Sequence, residues 1–269
     1  MFKKIFIGLV LILVCIPIYA FKIEPSLAVV HRLQLGNKSM PKELKVLQLS
    51  DIQVSESYST KRLDKVIRKV NKEKPDIIVF TGDLFDNYAQ YNHEPEIIEK
   101  LKEMKATIGK YAVWGNHDYG GGAARVYQQV MNAANFEVLK NAGETLTLAN
   151  GKKVFIGGLD DSLLGAPSIE ETLSYRQRYD YSILLTHEPD VADGFVGTNT
   201  QLVLAGHSHG GQVRLPFYEV KNVLAKKYTR GLYELKDHTK LYVNTGLGTT
   251  AIHARLGVPP EISVFHLHF

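Results

Sequence analysis

Gly206-His207-Ser208-His209-Gly210-Gly211 places two imidazoles one residue apart, framed by glycines. Neutral imidazole is the commonest metal ligand, and its second nitrogen can be fixed by an outer hydrogen bond. Small neighbours let both rings turn toward one point. A His-x-His pair alone is weak, because surface strands carry such pairs by chance. Here it has company. Asp51, Asp83 and the run Gly115-Asn116-His117-Asp118 each follow a short apolar stretch, and His187 follows Ile183-Leu184-Leu185. All are residue types that ligate metals, and all stand where a strand should give way to a loop.

Those groups need strands to deliver them. Residues 45–50, 77–80 and 111–114 read as buried strands ahead of Asp51, Asp83 and the 115–118 run. Residues 181–185 and 201–204 do the same for His187 and for the His207/His209 pair. Leu63, Val66, Ile67 and Val70, spaced i, i+3, i+4 and i+7, predict a helix over 61–74 with its lysines in solvent. Further helices are expected over 95–105 and from about 122 to 132, with late strands at 241–243 and 262–265. Asn150-Gly151, between 144–148 and 153–156, is the strongest hairpin signal. Alternation first and strand-rich sequence afterwards predict an α/β domain of two mixed sheets. A boundary near residue 140 divides two halves of one domain, since ligand candidates come from both.

Asp51, Gly82-Asp83-Leu84-Phe85-Asp86, Gly115-Asn116-His117-Asp118, His187 and Gly206-His207-Ser208-His209 stand in an order that resembles the calcineurin-like metallophosphoesterases, over about residues 44–269. Gly210-Gly211-Gln212-Val213-Arg214-Leu215-Pro216, Tyr242-Val243-Asn244-Thr245-Gly246 and Pro259-Pro260-Glu261 make the chain similar to the membrane-associated bacterial branch that includes lipid A precursor hydrolases. The resemblance implies a four-layer α/β/β/α sandwich around two divalent metal ions. Carried over, Asp83 bridges both ions and Asp51 and His209 hold the first. Asn116, through its amide oxygen, His187 and His207 hold the second. Such mixed donors suit Mn²⁺, Fe or Zn²⁺ better than an all-oxygen Mg²⁺ or Ca²⁺ site. His117 is then a general acid or charge stabiliser on the substrate side, oriented by Asp118. Arg214 offers a phosphate contact or a surface structural pairing.

One residue departs from the pattern. The family usually has Asp-x-His in its first block, and this chain has Asp51-Ile52-Gln53. An amide oxygen is a weaker ligand than imidazole for late transition metals, so Gln53 points to a looser first site and favours Mn²⁺. Two outcomes follow: intact binuclear catalysis, or a binding protein that keeps the fold without the chemistry. Other residues are set aside. His93, His238 and His253 lack ligand context, His266 and His268 alternate on a final strand, and Asp160-Asp161 mark a strand end and turn.

Composition narrows the function classes. The 269 residues are 45% hydrophobic and 22% charged with a net charge of +4, an ordinary globular balance. The charge is spread without a dense Lys/Arg stripe, so no nucleic-acid partner is expected and a nuclease is the least favoured phosphohydrolase. Cys15, the single cysteine, excludes disulfides and thiolate metal sites from the rest of the chain. Lys3 and Lys4 precede an uncharged run over 5–21 that approaches bilayer length. Residues 1–21 therefore read as an uncleaved single-pass anchor, 22–43 as a connector and 44–269 as an extracytoplasmic domain at the cell membrane. The expected activity is hydrolysis of a phosphodiester, pyrophosphate or phosphomonoester, lipid-linked substrates included.

Overall fold

The computed structural model describes Lys3 and residues 13–37, 39–41 and 44–269. Two six-stranded mixed sheets face each other. The first comprises β1 (Val29–Gly36), β2 (Leu44–Leu49), β3 (Ile77–Phe80), β4 (Gly109–Ala112), β5 (Glu137–Val138) and β14 (Glu261–His268), in the order β1-β14-β2-β3-β4-β5. The second comprises β6 (Ala142–Thr147), β7 (Lys153–Gly158), β8 (Tyr181–Leu185), β9 (Leu202–Ala205), β12 (Gly231–Glu234) and β13 (Lys240–Val243), in the order β12-β13-β9-β8-β7-β6. The first sheet takes its last early strand at Val138 and the second begins at Ala142. β6 and β7 form the hairpin expected around Asn150-Gly151.

Alternation of side chains along these strands builds the layers. Val46, Ile77 and Val79 point between the sheets, against Ile156, Ile183 and Leu204. Leu47, Ile78 and Phe80 point outward, onto Leu63, Val66 and Val70 of α1 (Thr60–Glu73) and Ile97 of α2 (Glu94–Lys102). Residues on both faces of β3 are buried, as an interior parallel strand requires. A third apolar layer covers the outer face of the second sheet, where Phe155 and Val203 meet Ala192 and Phe195. A two-residue-strand hairpin, β10 (Arg214–Leu215) with β11 (Tyr218–Glu219), stands off the sandwich. It shows no alternation that the sequence could have betrayed.

The inter-sheet core is apolar except at one end, where polar side chains join the sheets. Gln48 Nε2 donates to Ala205 O of β9 (2.9 Å) and to Thr81 Oγ1 (3.0 Å). Asn244 Nδ2 donates to Ser263 Oγ of β14 (2.7 Å), and the Tyr242 hydroxyl donates to Glu261. That end is where the parallel strands β2, β3, β8, β9 and β13 release their loops.

The N-terminal reading needs correction. Residues 1, 2 and 4–12 of the expected anchor lie outside the described residues. Among the described residues no helix is long and apolar enough to cross a membrane, which overturns the single-pass placement. The end of the segment also belongs to the fold. Ala20 and Glu24 are buried, Arg255 N donates to Ala20 O (2.9 Å), and the Glu24 carboxylate accepts from the amides of Gly257 (3.0 Å) and Val258 (2.5 Å). Part of the connector is structural as well, because β1 pairs in parallel with β14 along its length.

The buried phenols give a stability prediction. Burial pushes Tyr58 up to about 12, and it raises Tyr111, Tyr127, Tyr181 and Tyr242 above their ordinary value. The unfolded chain gives up these protons near pH ~10. Their contribution to stability is therefore full below that pH and lost as pH rises through the folded values. Absorbance at 295 nm should rise in two phases, exposed phenols first and the buried set together with cooperative unfolding. One ionisation step for all 14 tyrosines, without unfolding, would contradict this packing.

Candidate metal centre

The loops leaving the two sheets meet at a point between them, and they pay for the meeting in backbone strain. Asp51 (φ 48°), Gln53 (51°), Asp83 (62°), His207 (65°) and His209 (49°) are all left-handed. Such conformations are uncommon for residues with a Cβ and cluster where function demands a side-chain direction. Glycines let the loops close. Gly206 sits so near that a Cβ would lie 1.9 Å from Ser50 Oγ and 2.5 Å from Asp51 Oδ2.

Asp83 is the centre of the arrangement. His187 Nε2 lies 3.3 Å from Asp83 Oδ2, Gln53 Nε2 donates to the same oxygen (2.8 Å), and His117 N donates to Oδ1 (2.8 Å). Asp51 Oδ1 lies 3.4 Å from His209 Nε2, while its Oδ2 accepts from Ser50 Oγ (2.5 Å) and His207 N (3.0 Å). Asp51, Asp83 and His187 present ligand atoms within 4.8 Å of one another. The imidazoles are fixed from behind: His187 Nδ1 meets Thr81 O (2.7 Å), and His207 Nε2 meets Val223 O (2.8 Å). Each ring thus turns its other nitrogen inward.

Asp118 takes a different place from the one expected. It accepts from the amides of Asp83 (2.7 Å), Leu84 (2.9 Å) and Gly115 (3.1 Å), so it shapes the Asp83 loop. The His117 ring is held instead by Asp86, whose carbonyl meets Nδ1 at 2.7 Å. Arg214 pairs with Glu219 (2.9 Å) across the β10–β11 hairpin, the structural alternative.

The electrostatics ask for cations. Burial pushes Asp51 up to about 6, with Asp83 adding to it. Burial alone would raise Asp83 too, but His187, His117 and His207 hold it well below the usual carboxylate range. Burial takes His207 down to about 4, and burial with Arg255 takes His209 well below its ordinary value, so both imidazoles stay neutral and free to ligate. His187 goes the other way: burial lowers it, and Asp83, Asp51 and Glu188 outweigh that. These carboxylates require positive charge at His187, and a divalent ion meets the same requirement. Asp51 Oδ1, Gln53 Oε1, Asn116 Oδ1, His187 Nε2 and His209 Nδ1 are buried without hydrogen-bond partners among the described residues. Each such atom costs about 1–3 kcal/mol if left unmet. The Asp51, Asn116 and His187 atoms among these can each offer a lone pair, and cations are partners common to all three, so the donor set fits metal ions.

Two residues here escaped the sequence reading. Arg255 is fully buried and donates to the carbonyls of Thr245 (2.9 Å), Gly246 (3.1 Å) and Val258 (3.1 Å), holding the loop whose Leu247 and Gly248 amides cap Asp51 O. Glu188 is fully buried beside Asp161, and burial first, then Asp161, pushes it up to about 8. An isolated arginine and a glutamate next to a histidine carry no pattern in a sequence.

Residues 44–211 match the family described as calcineurin-like phosphoesterase. The chain belongs to that family. It is 44% identical over 225 residues to the uncharacterized metallophosphoesterase YkuE of Bacillus subtilis, covering 83% of this chain and 78% of that one. An uncharacterized metallophosphoesterase of Aquifex aeolicus is 30% identical, with 87% and 90% covered. One from Campylobacter jejuni is 34% identical, and there the match covers 85% of this chain but 60% of the relative. The two mixed sheets agree with the phosphoesterase fold.

Gly206 supplies a test of how this phosphoesterase centre is held. Gly206→Ala must displace Ser50 and Asp51, so Mn²⁺ affinity in a calorimetric titration should fall about 10–100-fold, as for other groups that orient ligands. Unchanged affinity would mean that Asp51 does not need its present position.

Proposed function

We propose that this chain is a phosphohydrolase in which two divalent cations, Mn²⁺ favoured, act on a phosphate ester. The observation that carries the reading is the buried cluster of Asp51 and Asp83 from the first sheet with His187 from the second, whose ligand atoms lie within 4.8 Å of one another. Asp83 would bridge the ions, with Asp51, His209 and Gln53 on the first and Asn116, His187 and His207 on the second. Such ions supply an acidified water and charge for the phosphoryl oxygens.

The protein's own groups arrange the rest. His117 lies at the cleft side of Asp83, its raised basicity due to Asp83 and the Asp86 carbonyl outweighing burial, so it can carry a proton toward a leaving oxygen. Beside it opens a polar cavity of about 410 Å³ lined by Ser55, Glu56, Asp86, Asn87 and Gln90, suited to a hydroxylated group. On the His209 side an apolar cavity of about 190 Å³ is lined by Val213, Val220, Ala251 and Ile252. The fully exposed Phe217 caps the hairpin nearby. This pairing favours a phosphodiester or pyrophosphate with one polar and one apolar substituent, lipid-linked esters among them, over a phosphomonoester, which has a single substituent.

Hydrolysis of a chromogenic phosphodiester by Mn²⁺-loaded protein tests the reading. Asp83→Asn should abolish turnover and strip both ions, because the bridge loses its charge. His117→Ala should lower turnover by roughly 10²–10⁴-fold with metal content kept. Metal loss in the His117 variant would make that residue a ligand and sink its assignment.

A second reading, binding without catalysis, draws on Gln53. Its Nε2 faces Asp83, whereas ligation requires Oε1. Gln53→His should tighten the first ion and raise its occupancy in purified protein. Equal metal titrations for wild type and variant, with full activity in both, would show that residue 53 does not touch metal. Wild type saturating at one ion would favour the non-catalytic reading.

A further inference from the structure

Glu188 and Asp161 form a buried acidic pair that the centre described above does not use. Glu188 Oε2 accepts from Ser162 N (3.0 Å), and Asp161 Oδ2 accepts from the amides of Leu163 (3.1 Å) and Leu164 (2.5 Å). Their remaining oxygens, Glu188 Oε1 and Asp161 Oδ1, are buried without hydrogen-bond partners among the described residues. Amide capping therefore accounts for one oxygen of each carboxylate, and the two carboxyl groups also bear on each other.

An independent observation supplies the missing partner. Glu188, His187 and His207 each offer a ligand atom, all within 4.8 Å of one another. His187 has committed Nδ1 to Thr81 O, and its buried Nε2 turns toward Asp83 Oδ2 (3.3 Å). His207 has committed Nε2 to Val223 O, which leaves Nδ1. The donors lie two or three residues beyond the ends of β8 and β9, adjacent parallel strands whose pairing is continued past the strand ends by Gly206 N donating to His187 O (2.9 Å).

We infer that Glu188 is a further protein ligand of the ion held by His187 and His207, giving that ion an anionic oxygen beyond the bridging Asp83. This rests on the two-metal reading above. An added carboxylate hardens the site and shifts its preference toward Mn²⁺ over Zn²⁺. The competing arrangement is a proton shared between Asp161 and Glu188, which would make the pair purely structural.

Metal-free full-length protein titrated with Mn²⁺ and with Zn²⁺, free Mn²⁺ being read by electron paramagnetic resonance and Zn²⁺ by calorimetry, separates the two without an activity assay. Wild type should bind two Mn²⁺. Glu188→Gln should weaken one of them about tenfold or more, a size typical of lost metal-site support, and should weaken Zn²⁺ less. Glu188→Asp, which keeps the charge on a shorter arm, should fall between and serves if the glutamine variant does not fold. Asp161→Asn should leave Mn²⁺ binding near wild type. Unchanged Mn²⁺ affinity in Glu188→Gln overturns the inference, as does an equal loss in Glu188→Gln and Asp161→Asn. Wild type that binds one Mn²⁺, weakened by Glu188→Gln, supports Glu188 as ligand while overturning the two-metal reading.

Discussion

Carboxylates buried where two sheets meet are the constraint on which this structure depends. Asp51, Asp83, Asp118, Asp161 and Glu188 are all withdrawn from water within one end of the sandwich. Buried charge is costly unless paired and hydrogen-bonded. Asp118 meets that cost with backbone amides, Asp51 in part with Ser50, the His207 amide and the nearby Arg255 guanidinium. Asp83 leans on imidazoles, chiefly His187. What remains unmet is a set of lone pairs facing inward, and that remainder is what makes the centre chemical and not merely structural.

Holding those groups requires the two sheets to keep register with each other. Apolar packing between sheets is non-directional and sets a spacing, not an alignment. The polar links from Gln48 to Ala205 and from Asn244 to Ser263 are directional, and they stand at the end from which the ligand loops leave. A slip between sheets would break these links before it reached Asp83. The left-handed backbone at Asp51, Asp83 and His209 is sustained in the same way, by surroundings that leave no room for relaxation.

Much of this could be read in the sequence because it is written in short range. Apolar runs of four to six residues ending in Asp or His gave the strands β2, β3, β8 and β9 within a residue or two of their observed limits. The spacing of Leu63, Val66, Ile67 and Val70 gave α1. What escaped is long range or lacks period. β4 runs from Gly109 to Ala112, two residues ahead of the expected 111–114, because β3 ends at Phe80 and offers only its carbonyl to Val113 N (3.0 Å) beyond the last register pair. Arg255 and Glu24 act through backbone groups distant in sequence, and no motif announces a side chain that binds carbonyls or amides. The apolar run over 5–21 carried composition without context, and composition could not show that Ala20 is buried against the Arg255 loop.

Gln53 shows how the two halves of the centre differ in tolerance. The second sheet's candidate ligands, His187 and His207, follow adjacent parallel strands, and each ring is pinned from behind by a carbonyl. Gln53 stands four residues beyond Leu49 at the end of β2, in a left-handed turn held by its own amide to Asp83 O (3.1 Å) and capped by Gly248. The space there is set by backbone, since a Cβ on Gly248 would lie 2.2 Å from Ile52 O. A side chain at 53 can change its donor atom without moving that frame. Under the proposed two-metal reading, exchange of imidazole for amide at this position would alter how strongly an ion is held, while the strands and the Asp83 loop stay in place.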